Sequence, residues 1–313
     1  MRATKILFIW ILICMTNLLG CQNLNQSTPE SKQPIQNSTG EDKGFKETLK
    51  EKPIHFLVLG VDKRKGEKKY RTDTILVVRY DSKKHSLKVV SIMRDSYVKV
   101  PNDKHVYNKI NTAFFNGGHE LLKQTIHQNF GIEIDYYVTI DFEGFVNIVD
   151  TLVPEGIKVN VEQKIIDDMG LKLKAGENVL HGEELLKYAR FRHDASSDFG
   201  RVGRQQEILV EVMNQLLNKL NSTVGIVKAP ALVESTLKYV TTDLSVEQIL
   251  TLSSDVLLHP LESVDTMRIP VGNNYRNKRT GHAGAVLELN FSKSIEALDK
   301  FFTEPTPVDE SVE

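Results

Sequence analysis

Short apolar runs alternate with longer amphipathic stretches along this chain, which predicts a mixture of strands and helices. Residues 54–61 are almost entirely apolar, as the residues of a buried strand are. Two similar runs, at 74–80 and 87–92, flank a polar turn and predict an antiparallel pair of strands. The remaining predicted elements are strands at 136–140 and 157–161 and helices at 119–129, 142–152, 182–191, 205–220 and 246–258. Because these elements follow without a regular βαβ rhythm, the fold class is α/β in the broad sense, either α+β or a three-layer α/β/α sandwich.

The first 21 residues have the organisation of an export signal. Arg2 and Lys5 precede an apolar run at 6–15, and a Leu-Leu-Gly-Cys tetrapeptide follows and ends at Cys21. This tetrapeptide resembles the bacterial lipobox, so we predict a lipoprotein-type signal peptide at 1–21 with Cys21 as the lipidated residue. The alternative is a single N-terminal transmembrane helix, although a spanning helix needs roughly 20 apolar residues. Both alternatives place the rest of the chain on the extracytoplasmic face of the cell membrane.

The rest of the chain divides by composition into a tether, a domain and a tail. Residues 22–52 are polar with hardly any apolar side chain, which predicts a tether that cannot fold alone. Residues 53–303 contain the predicted strands and helices and are long enough for one large domain. Residues 304–313 are rich in proline and acidic residues, which predicts a disordered tail.

Charge and cysteine content exclude several classes of function. The 313 residues carry a formal net charge of −1, so no overall positive field attracts nucleic acid. The two cysteines are Cys14 and Cys21, and if Cys21 is lipidated the mature domain has no thiol. A disulfide, a cysteine nucleophile and a thiolate metal site are then excluded.

Arginine is concentrated in three short segments of the chain. There are 12 arginines against 28 lysines, and seven of the 12 lie within 64–71, at position 94 or within 190–204. Aspartates lie in or next to the same segments. A planar guanidinium binds phosphate bidentately and carboxylates hold Mg²⁺, so these segments predict a metal-assisted phosphate or pyrophosphate site. The alternative is a set of structural ion pairs between arginine and aspartate.

Asp62 and Asp73 are the candidates for metal ligands. Each stands where a predicted strand meets a loop, and ligands commonly bind at strand ends of open sheets. Two adjacent strands would bring both carboxylates to one Mg²⁺ or Mn²⁺ ion. Arg71 precedes Asp73 by two residues, which places both side chains on one face of an extended segment. Asp73 and Asp95 both remain candidates for the residue that accepts a proton.

Taken together, these segments resemble the LytR-CpsA-Psr family, whose members are extracytoplasmic enzymes of mainly Gram-positive bacteria that attach phosphate-linked glycopolymers to the cell wall. The similar blocks lie at residues 56–62, 71–74, 90–95, 108–114, 141–150, 180–190 and 198–206. They extend over roughly residues 54–220, about half of the chain.

The resemblance implies a fold, a ligand and a set of site residues. It implies a three-layer α/β/α sandwich in which a mixed sheet encloses an apolar pocket for a polyprenyl chain, with the pyrophosphate at the mouth of the pocket. It implies Asp62 and Asp73 as ligands of Mg²⁺ or Mn²⁺. The implied catalytic residues are Arg71, Asp73, Arg94 and Asp95. The implied pyrophosphate-binding residues are Arg64, Arg71, Arg94, Lys109, Arg190, Arg192, Arg201, Arg204 and Gln205. The resemblance assigns no role to Asp198.

The chain departs from the family pattern in three places. Met93 stands where the family usually has proline, and proline sets the local backbone. The loop at 152–157 differs from the family's Leu-Gly-Gly-Val stretch, and the lipobox replaces the transmembrane anchor of most members.

The implied function is transfer of a teichoic acid or similar glycopolymer from a polyprenyl pyrophosphate carrier to a peptidoglycan hydroxyl. The expected partners are this lipid-linked polymer, peptidoglycan and the outer leaflet of the cytoplasmic membrane. One alternative is a hydrolase that cleaves polyprenyl pyrophosphate with water as the acceptor. Another is a non-catalytic lipoprotein that binds wall polymer.

Overall fold

A mixed sheet of six strands lies at the centre of the protein. The computed structural model describes residues 41–304, apart from 64–69, 194–197, 221–230, 233, 260 and 262. The strands are β1 (Ile54–Val61), β2 (Thr72–Asp81), β3 (Ser86–Ile92), β4 (Ser96–Lys99), β5 (Tyr107–Lys109), β6 (Tyr136–Asp141), β7 (Ile157–Val161), β8 (Gly176–Leu180), β9 (Val240–Thr242), β10 (Ser263–Ile269), β11 (Tyr275–Thr280) and β12 (Gly284–Leu289). The helices used below are α1 (Glu41–Glu51), α2 (Ile110–Phe130), α3 (Phe142–Leu152), α4 (Gln163–Met169), α5 (Gly182–Arg190), α6 (Asp198–Leu220), α7 (Val246–Leu258) and α8 (Phe291–Thr303).

The central sheet has the strand order β10-β3-β2-β1-β6-β9. β1, β2 and β3 are successive antiparallel neighbours, which confirms the predicted antiparallel pair. β6 lies parallel to β1, and β10 lies parallel to β3. The C-terminal part of the chain therefore completes the same sheet as the N-terminal strands. A second sheet has the order β11-β12-β4-β5, and β7 pairs with β8.

Helices pack on both faces of the central sheet. The strands alternate, so that Leu57 and Val77 point to one face, where they join Leu122 and Ile126 of α2 in one apolar cluster. On the other face the apolar cluster includes Phe56, with side chains of α1 and α7. The fold is thus a mixed α/β fold built on a six-stranded mixed sheet.

The predicted tether is wrong for its last residues, because residues 41–51 form helix α1. Phe45 and Leu49 are four residues apart, so they lie on one side of the helix, and they are only 4% and 3% exposed. They pack with Ile54, Phe56 and Tyr80 of the sheet. Burial of these two side chains stabilises a helix that its polar composition alone would not support.

Two predicted helices begin earlier than the periodicity indicated. The helix predicted at 119–129 begins at Ile110 and is kinked at Gly117 and Gly118, where the backbone leaves helical geometry. Gly118 has φ 63 and ψ −150, a conformation that favours glycine. The helix predicted at 205–220 begins at Asp198. The helices predicted at 142–152 and 246–258 are confirmed at those bounds.

A third apolar cluster lies beside the central sheet. Its buried members come from α3, β7, α4, β8, α5 and α6. Gly182 opens α5 at a close approach to α3, since a Cβ there would lie 2.6 Å from the carbonyl oxygen of Val146. The Gly182 N–H donates to Asp150 Oδ1 at 2.8 Å, which fixes the start of α5 against the end of α3. This packing sets where residues 190–193 leave α5.

Within the part of the chain that the structure describes, no helix combines the length and the apolar composition needed to cross a membrane. The predictions for residues 1–21 and for residues 305–313 lie outside the described residues.

Candidate functional site

Three aspartates and four cationic side chains meet where β2 begins, β3 ends and α6 begins. We call these seven residues the arginine–aspartate network: Asp73, Arg94, Asp95, Lys109, Arg192, Asp198 and Arg201. Arg94 lies at its centre, with Nη1 at 2.5 Å from Asp73 Oδ1. Its Nε lies 3.5 Å from Asp95 Oδ2 and 3.4 Å from Asp198 Oδ2. A single guanidinium therefore contacts three carboxylates, one on β2, one on α6 and one from the adjacent residue in the turn after β3.

The other cations of the network bind the same carboxylates. Lys109 Nζ lies 2.6 Å from Asp95 Oδ1. Arg192 contacts both Asp73 and Asp198, at 3.7 Å and 3.6 Å. Arg201, one helical turn after Asp198, lies 3.7 Å from it. The network thus brings together residues from all three arginine-containing segments of the sequence, around residues 71–73, 94–95 and 190–204.

The backbone of residues 93–96 is held by hydrogen bonds to both sheets. Met93 N donates to Ile269 O of β10 at 3.0 Å, and Leu287 N of β12 donates to Asp95 O at 2.9 Å. Ser96 N also donates to Met93 O at 2.9 Å, which closes a turn around Arg94. A proline at position 93 would have no N–H and could not make the first of these bonds. The approach of Arg94 is therefore set here by hydrogen bonds in place of a proline ring.

Burial and mutual attraction act in opposite directions on the charged groups of the network. Burial on its own would raise the pKa of Asp198, but Arg201, Arg94 and Arg192 outweigh it and hold that pKa below its ordinary value. Burial would lower the pKa of Arg94, but Asp198, Asp73 and Asp95 raise it. Both groups remain ionised at neutral pH.

Arg201 differs from the other cations because its side chain is enclosed by protein. The residue is 1% exposed, and burial lowers its pKa to about 10, although Asp198 counteracts this effect. Its Nε and Nη1 atoms are buried and have no hydrogen-bond partner among the described residues. A buried guanidinium is costly without a counter-charge, so Arg201 adds positive charge behind the exposed part of the network.

Two predicted arginines make their contacts with aromatic rings near the network. Arg190 lies 4.3 Å from the centre of the Phe142 ring. Arg204 donates to the carbonyl oxygen of Phe191 at 2.5 Å and lies over the Phe191 ring at 5.0 Å. Arg204 thereby positions the segment that carries Arg192. Gln205 donates to Ala189 O at 3.4 Å and, with Arg94 and Arg201, lines a small cavity of about 10 Å³.

The two predicted metal ligands lie on neighbouring strand ends. The Asp62 N–H donates to the carbonyl oxygen of Arg71 at 3.4 Å, just beyond the last paired residues of β1 and β2. The Arg71 side chain is exposed and lies 5.6 Å from the centre of the Phe115 ring. No group of three or more potential ligand side chains suited to a metal occurs among the described residues. A pair of carboxylates on neighbouring strand ends is a donor set that suits Mg²⁺, which takes one or two carboxylates and fills its other positions with water and phosphate oxygens.

Asp198 is the residue of the network that the sequence reasoning did not assign. Its position as the first residue of α6, followed by Arg201 three residues later, is the signal that could have placed it there. His193 is exposed and contacts Asp168 at 3.1 Å, outside the network. Arg64 and Cys21 lie outside the described residues.

A partly exposed apolar surface adjoins the network on the central sheet. Val58 pairs with Leu76 on β2 and with Val138 on β6, so the three side chains share one face of the sheet. All three are partly exposed, whereas Leu57 and Leu59 on the opposite face are 0% exposed. Val58 packs against the cluster that includes Phe56, so this face is covered in part and retains some accessible apolar surface.

Comparison with known proteins gives matches over most of the chain. A model of the LytR_cpsA_psr family matches residues 18–295. The regulatory protein MsrR of Staphylococcus aureus (strain COL) is 38% identical over 252 residues, which cover 80% of this chain and 75% of MsrR. The polyisoprenyl-teichoic acid–peptidoglycan teichoic acid transferase TagV of Bacillus subtilis (strain 168) is 33% identical over 237 residues, which cover 72% of this chain and 59% of TagV.

Solved structures share the fold as well. The structure of TagT bound to LI-WTA, a wall teichoic acid ligand, has a TM-score of 0.64 and 26% sequence identity to this chain. The similarity covers 81% of this chain and 90% of TagT. Similarity of this extent shows that the two proteins share the same mixed α/β fold.

Proposed function

Because the chain belongs to the LytR-CpsA-Psr family, we propose that it is an extracytoplasmic phosphotransferase. It moves a phosphate-linked glycopolymer, a teichoic acid or a similar polymer, from a polyprenyl pyrophosphate carrier to a peptidoglycan hydroxyl. The name of TagV states this class of reaction for one relative, and TagT binds a wall teichoic acid ligand. MsrR is named a regulatory protein, so the assays below measure transferase activity directly.

The arginine–aspartate network is the observation that carries this proposal. Its four cations come from β5, from α6 and from the connections that follow β3 and α5. Arg201 also has two buried nitrogen atoms without a hydrogen-bond partner among the described residues. Arginine forks match the geometry of phosphate oxygens and bind them bidentately. A pyrophosphate is a ligand that uses several such forks at once.

The apolar surface beside the network supports a lipid carrier. Leu76 lies on β2 three residues after Asp73, and Val58 of β1 and Val138 of β6 lie beside it; all three side chains are partly exposed. Contact with a polyprenyl chain would remove this apolar surface from water, which is favourable by about 25 cal/mol per Å². We therefore assign the polyprenyl chain to this face and its pyrophosphate to the arginines.

The proposed reaction exchanges one bond at phosphorus for another. The acceptor hydroxyl oxygen attacks the phosphorus that carries the glycopolymer, and the bond from that phosphorus to the bridging oxygen breaks. Polyprenyl phosphate leaves with the bridging oxygen and the negative charge that develops there. Arg94, Arg192 and Arg201 stabilise this charge, and the hydroxyl proton passes to Asp73 or Asp95. The energy of the pyrophosphate bond drives the transfer, so no nucleotide is needed.

Asp62 and Asp73 are the residues that would hold Mg²⁺ or Mn²⁺. When bound, the ion would supply positive charge to phosphate oxygens without a proton transfer. Asp73 contacts Arg94 and Arg192 in this structure, so its carboxylate would be shared between the ion and these arginines.

Substitution of the network tests the assignment of the site. We expect Arg94→Ala and Asp73→Ala each to lower transfer by at least about 100-fold, because each removes charge stabilisation or its positioning in the transition state. The measurement incubates the purified chain with a lipid-linked donor, with and without a peptidoglycan acceptor. Arg279→Ala, which changes an exposed arginine of β11, is the matched control.

The same assay separates transferase from hydrolase and from a binding protein. Product that forms equally fast without acceptor would assign the site to a hydrolase. Donor binding without turnover would assign a non-catalytic role. Full activity in Arg94→Ala, with the fold unchanged by circular dichroism, would overturn the site assignment.

Removal of divalent metal tests the cofactor assignment. We expect EDTA to lower transfer by at least about tenfold, because the metal contributes charge stabilisation. Addition of Mg²⁺ or Mn²⁺ should restore activity in the wild type and restore little in Asp62→Asn. Activity that is insensitive to EDTA would contradict the metal assignment without affecting the arginine assignment.

A further inference from the structure

A cleft of about 800 Å³ lies on the second sheet, outside the arginine–aspartate network. Its lining includes Tyr97 of β4, Tyr107 of β5 and Tyr275 of β11, together with the amide side chains of Asn273 and Asn274. Its volume lies within the range of about 300–1,000 Å³ that is typical of ligand sites. The cleft is therefore large enough for a short oligosaccharide.

The cleft is joined to the network by one row of side chains across the second sheet. Arg276 pairs with Glu288, Glu288 with Tyr97, and Tyr97 with Lys109. Paired residues on neighbouring strands present their side chains to the same face, so this row runs along one surface. Lys109 ends the row, and its Nζ lies 2.6 Å from Asp95 Oδ1. A molecule that follows the row therefore arrives at a carboxylate of the network.

A second contact joins the cleft to the network from the other side. The ring of Tyr275 stacks on that of Phe199 with centroids 5.1 Å apart, and Phe199 is the residue after Asp198. The cleft thus borders two elements that supply network carboxylates.

The chemistry of the lining matches a carbohydrate. The rings of Tyr97 and Tyr107 lie 5.6 Å apart, and both residues are only partly buried. A tyrosine ring offers an apolar face to the C–H surface of a pyranose and a hydroxyl at its edge. Asparagine amides both donate and accept hydrogen bonds, as sugar hydroxyl and acetamido groups require.

The charge of the cleft favours a weakly charged ligand. Arg276 and Lys278 both pair with Glu288, and they lower the pKa of that carboxyl to about 2. The carboxylate offsets one of the two cations, so these three side chains together carry a net charge of only about +1. A polyanionic polymer would be better matched by a cleft with unbalanced cations.

We propose that this cleft binds the glycan strand of the peptidoglycan acceptor and directs its hydroxyl toward Asp95 and Arg94. The proposal rests on the proposed function, and it assigns the acceptor to a surface separate from the polyprenyl face. Tyr97 and Tyr107 are specificity residues in this assignment, because they contact the sugar and do not contact the phosphorus.

Calorimetric titration with a soluble peptidoglycan tetrasaccharide tests the proposal without any donor present. We expect saturable binding to the wild-type chain, weakened about tenfold in Tyr97→Ala and in Tyr107→Ala because each loses a stacking surface. Tyr97→Phe keeps the ring and should bind within about twofold of the wild type. Tyr107 lies on the edge strand β5, so Tyr107→Ala remains informative if Tyr97→Ala fails to fold.

The titration and the transfer assay have outcomes that support or overturn the assignment of the cleft to the acceptor glycan. Absence of saturable binding, or equal binding by the wild type and both alanine variants, would overturn the proposal. Binding of an anionic polyol-phosphate oligomer in place of the tetrasaccharide, with the same loss in the variants, would overturn it and assign the cleft to the donor polymer. In the transfer assay, a higher KM for acceptor with an unchanged KM for donor in Tyr107→Ala would support it. If the chain fails to transfer but the tetrasaccharide binds as expected, the proposed function fails and the cleft assignment stands.

Discussion

Asp198 is the counter-ion for three guanidinium groups at once. Arg94, Arg192 and Arg201 all lie within 3.4–3.7 Å of its carboxylate oxygens. Without this carboxylate, the buried charge of Arg201 would lose its nearest partner, and Arg94 would lose one of three carboxylates that orient it. We therefore regard Asp198 as a positioning residue that holds arginines for a phosphate.

The pH dependence of stability tests this role. The pKa of Asp198 is below its ordinary value of 3.8, so its ionised form stabilises the folded state above that pH, and the contribution is lost as the pH falls through the folded-state pKa. We expect Asp198→Asn to lower the free energy of unfolding by about 2 kcal/mol at pH 7. The difference should narrow below about pH 4, as measured by urea unfolding at several pH values.

Glu120→Gln provides the control for this series. Glu120 is 77% exposed and contacts Lys123 only at 3.9 Å, so its substitution should change stability little at any pH. A difference for Asp198→Asn that stays constant between pH 7 and pH 3 would contradict the role of its charge.

The sequence singled out residues of the arginine–aspartate network without indicating which of them contact one another. Asp73, Arg94, Asp95, Lys109, Arg192 and Arg201 were all candidates, and the structure brings them together. The complete burial of Arg201 could not be predicted, because it depends on packing between elements that are distant in sequence. The contact of Arg190 with the Phe142 ring has the same origin, since α3 and α5 meet only in the folded chain.

At the level of elements, apolar periodicity was sufficient where a segment buries its own apolar face. It located β1, β7, α3 and α7 within a residue of their bounds. It did not locate β11, whose six residues are nearly all polar and which pairs with β12 through backbone hydrogen bonds. Pairing of this kind leaves no signature in the order of apolar residues.

Helix α1 is held on the sheet by two buried side chains, Phe45 and Leu49. Phe45→Ala should lower the free energy of unfolding by about 3 kcal/mol, because it leaves a cavity against Ile54 and Phe56. Lys46→Ala on the exposed side of the same helix is the control and should change stability by less than about 0.5 kcal/mol. Equal effects of the two substitutions in urea unfolding would show that α1 does not pack on the sheet.

At the scale of the whole molecule, we propose that the domain is held at the outer face of the cell membrane through Cys21. The chain begins with a charged and then apolar segment, and the lipobox-like tetrapeptide ends at that cysteine. A lipid on Cys21 would keep the arginines within reach of a carrier that is itself confined to the bilayer.

Substitution of each cysteine tests the anchor. Cys21→Ala should prevent lipid attachment and release the protein from the membrane fraction, whereas Cys14→Ala, within the predicted signal, should leave both unchanged. Mass spectrometry of the native N-terminus is the measurement. A native chain that begins with Met1 would show that a transmembrane helix is the anchor.

The hydrogen bond between Met93 N and Ile269 O makes the backbone conformation beside Arg94 depend on a distant part of the chain. A proline at position 93 would restrict the backbone through its own covalent ring, whatever its neighbours do. Here the restriction is supplied by β10, an edge strand formed some 170 residues later. Local unfolding of β10 would therefore remove a constraint on the backbone beside Arg94. A proline at position 93 would keep its own constraint when β10 unfolds.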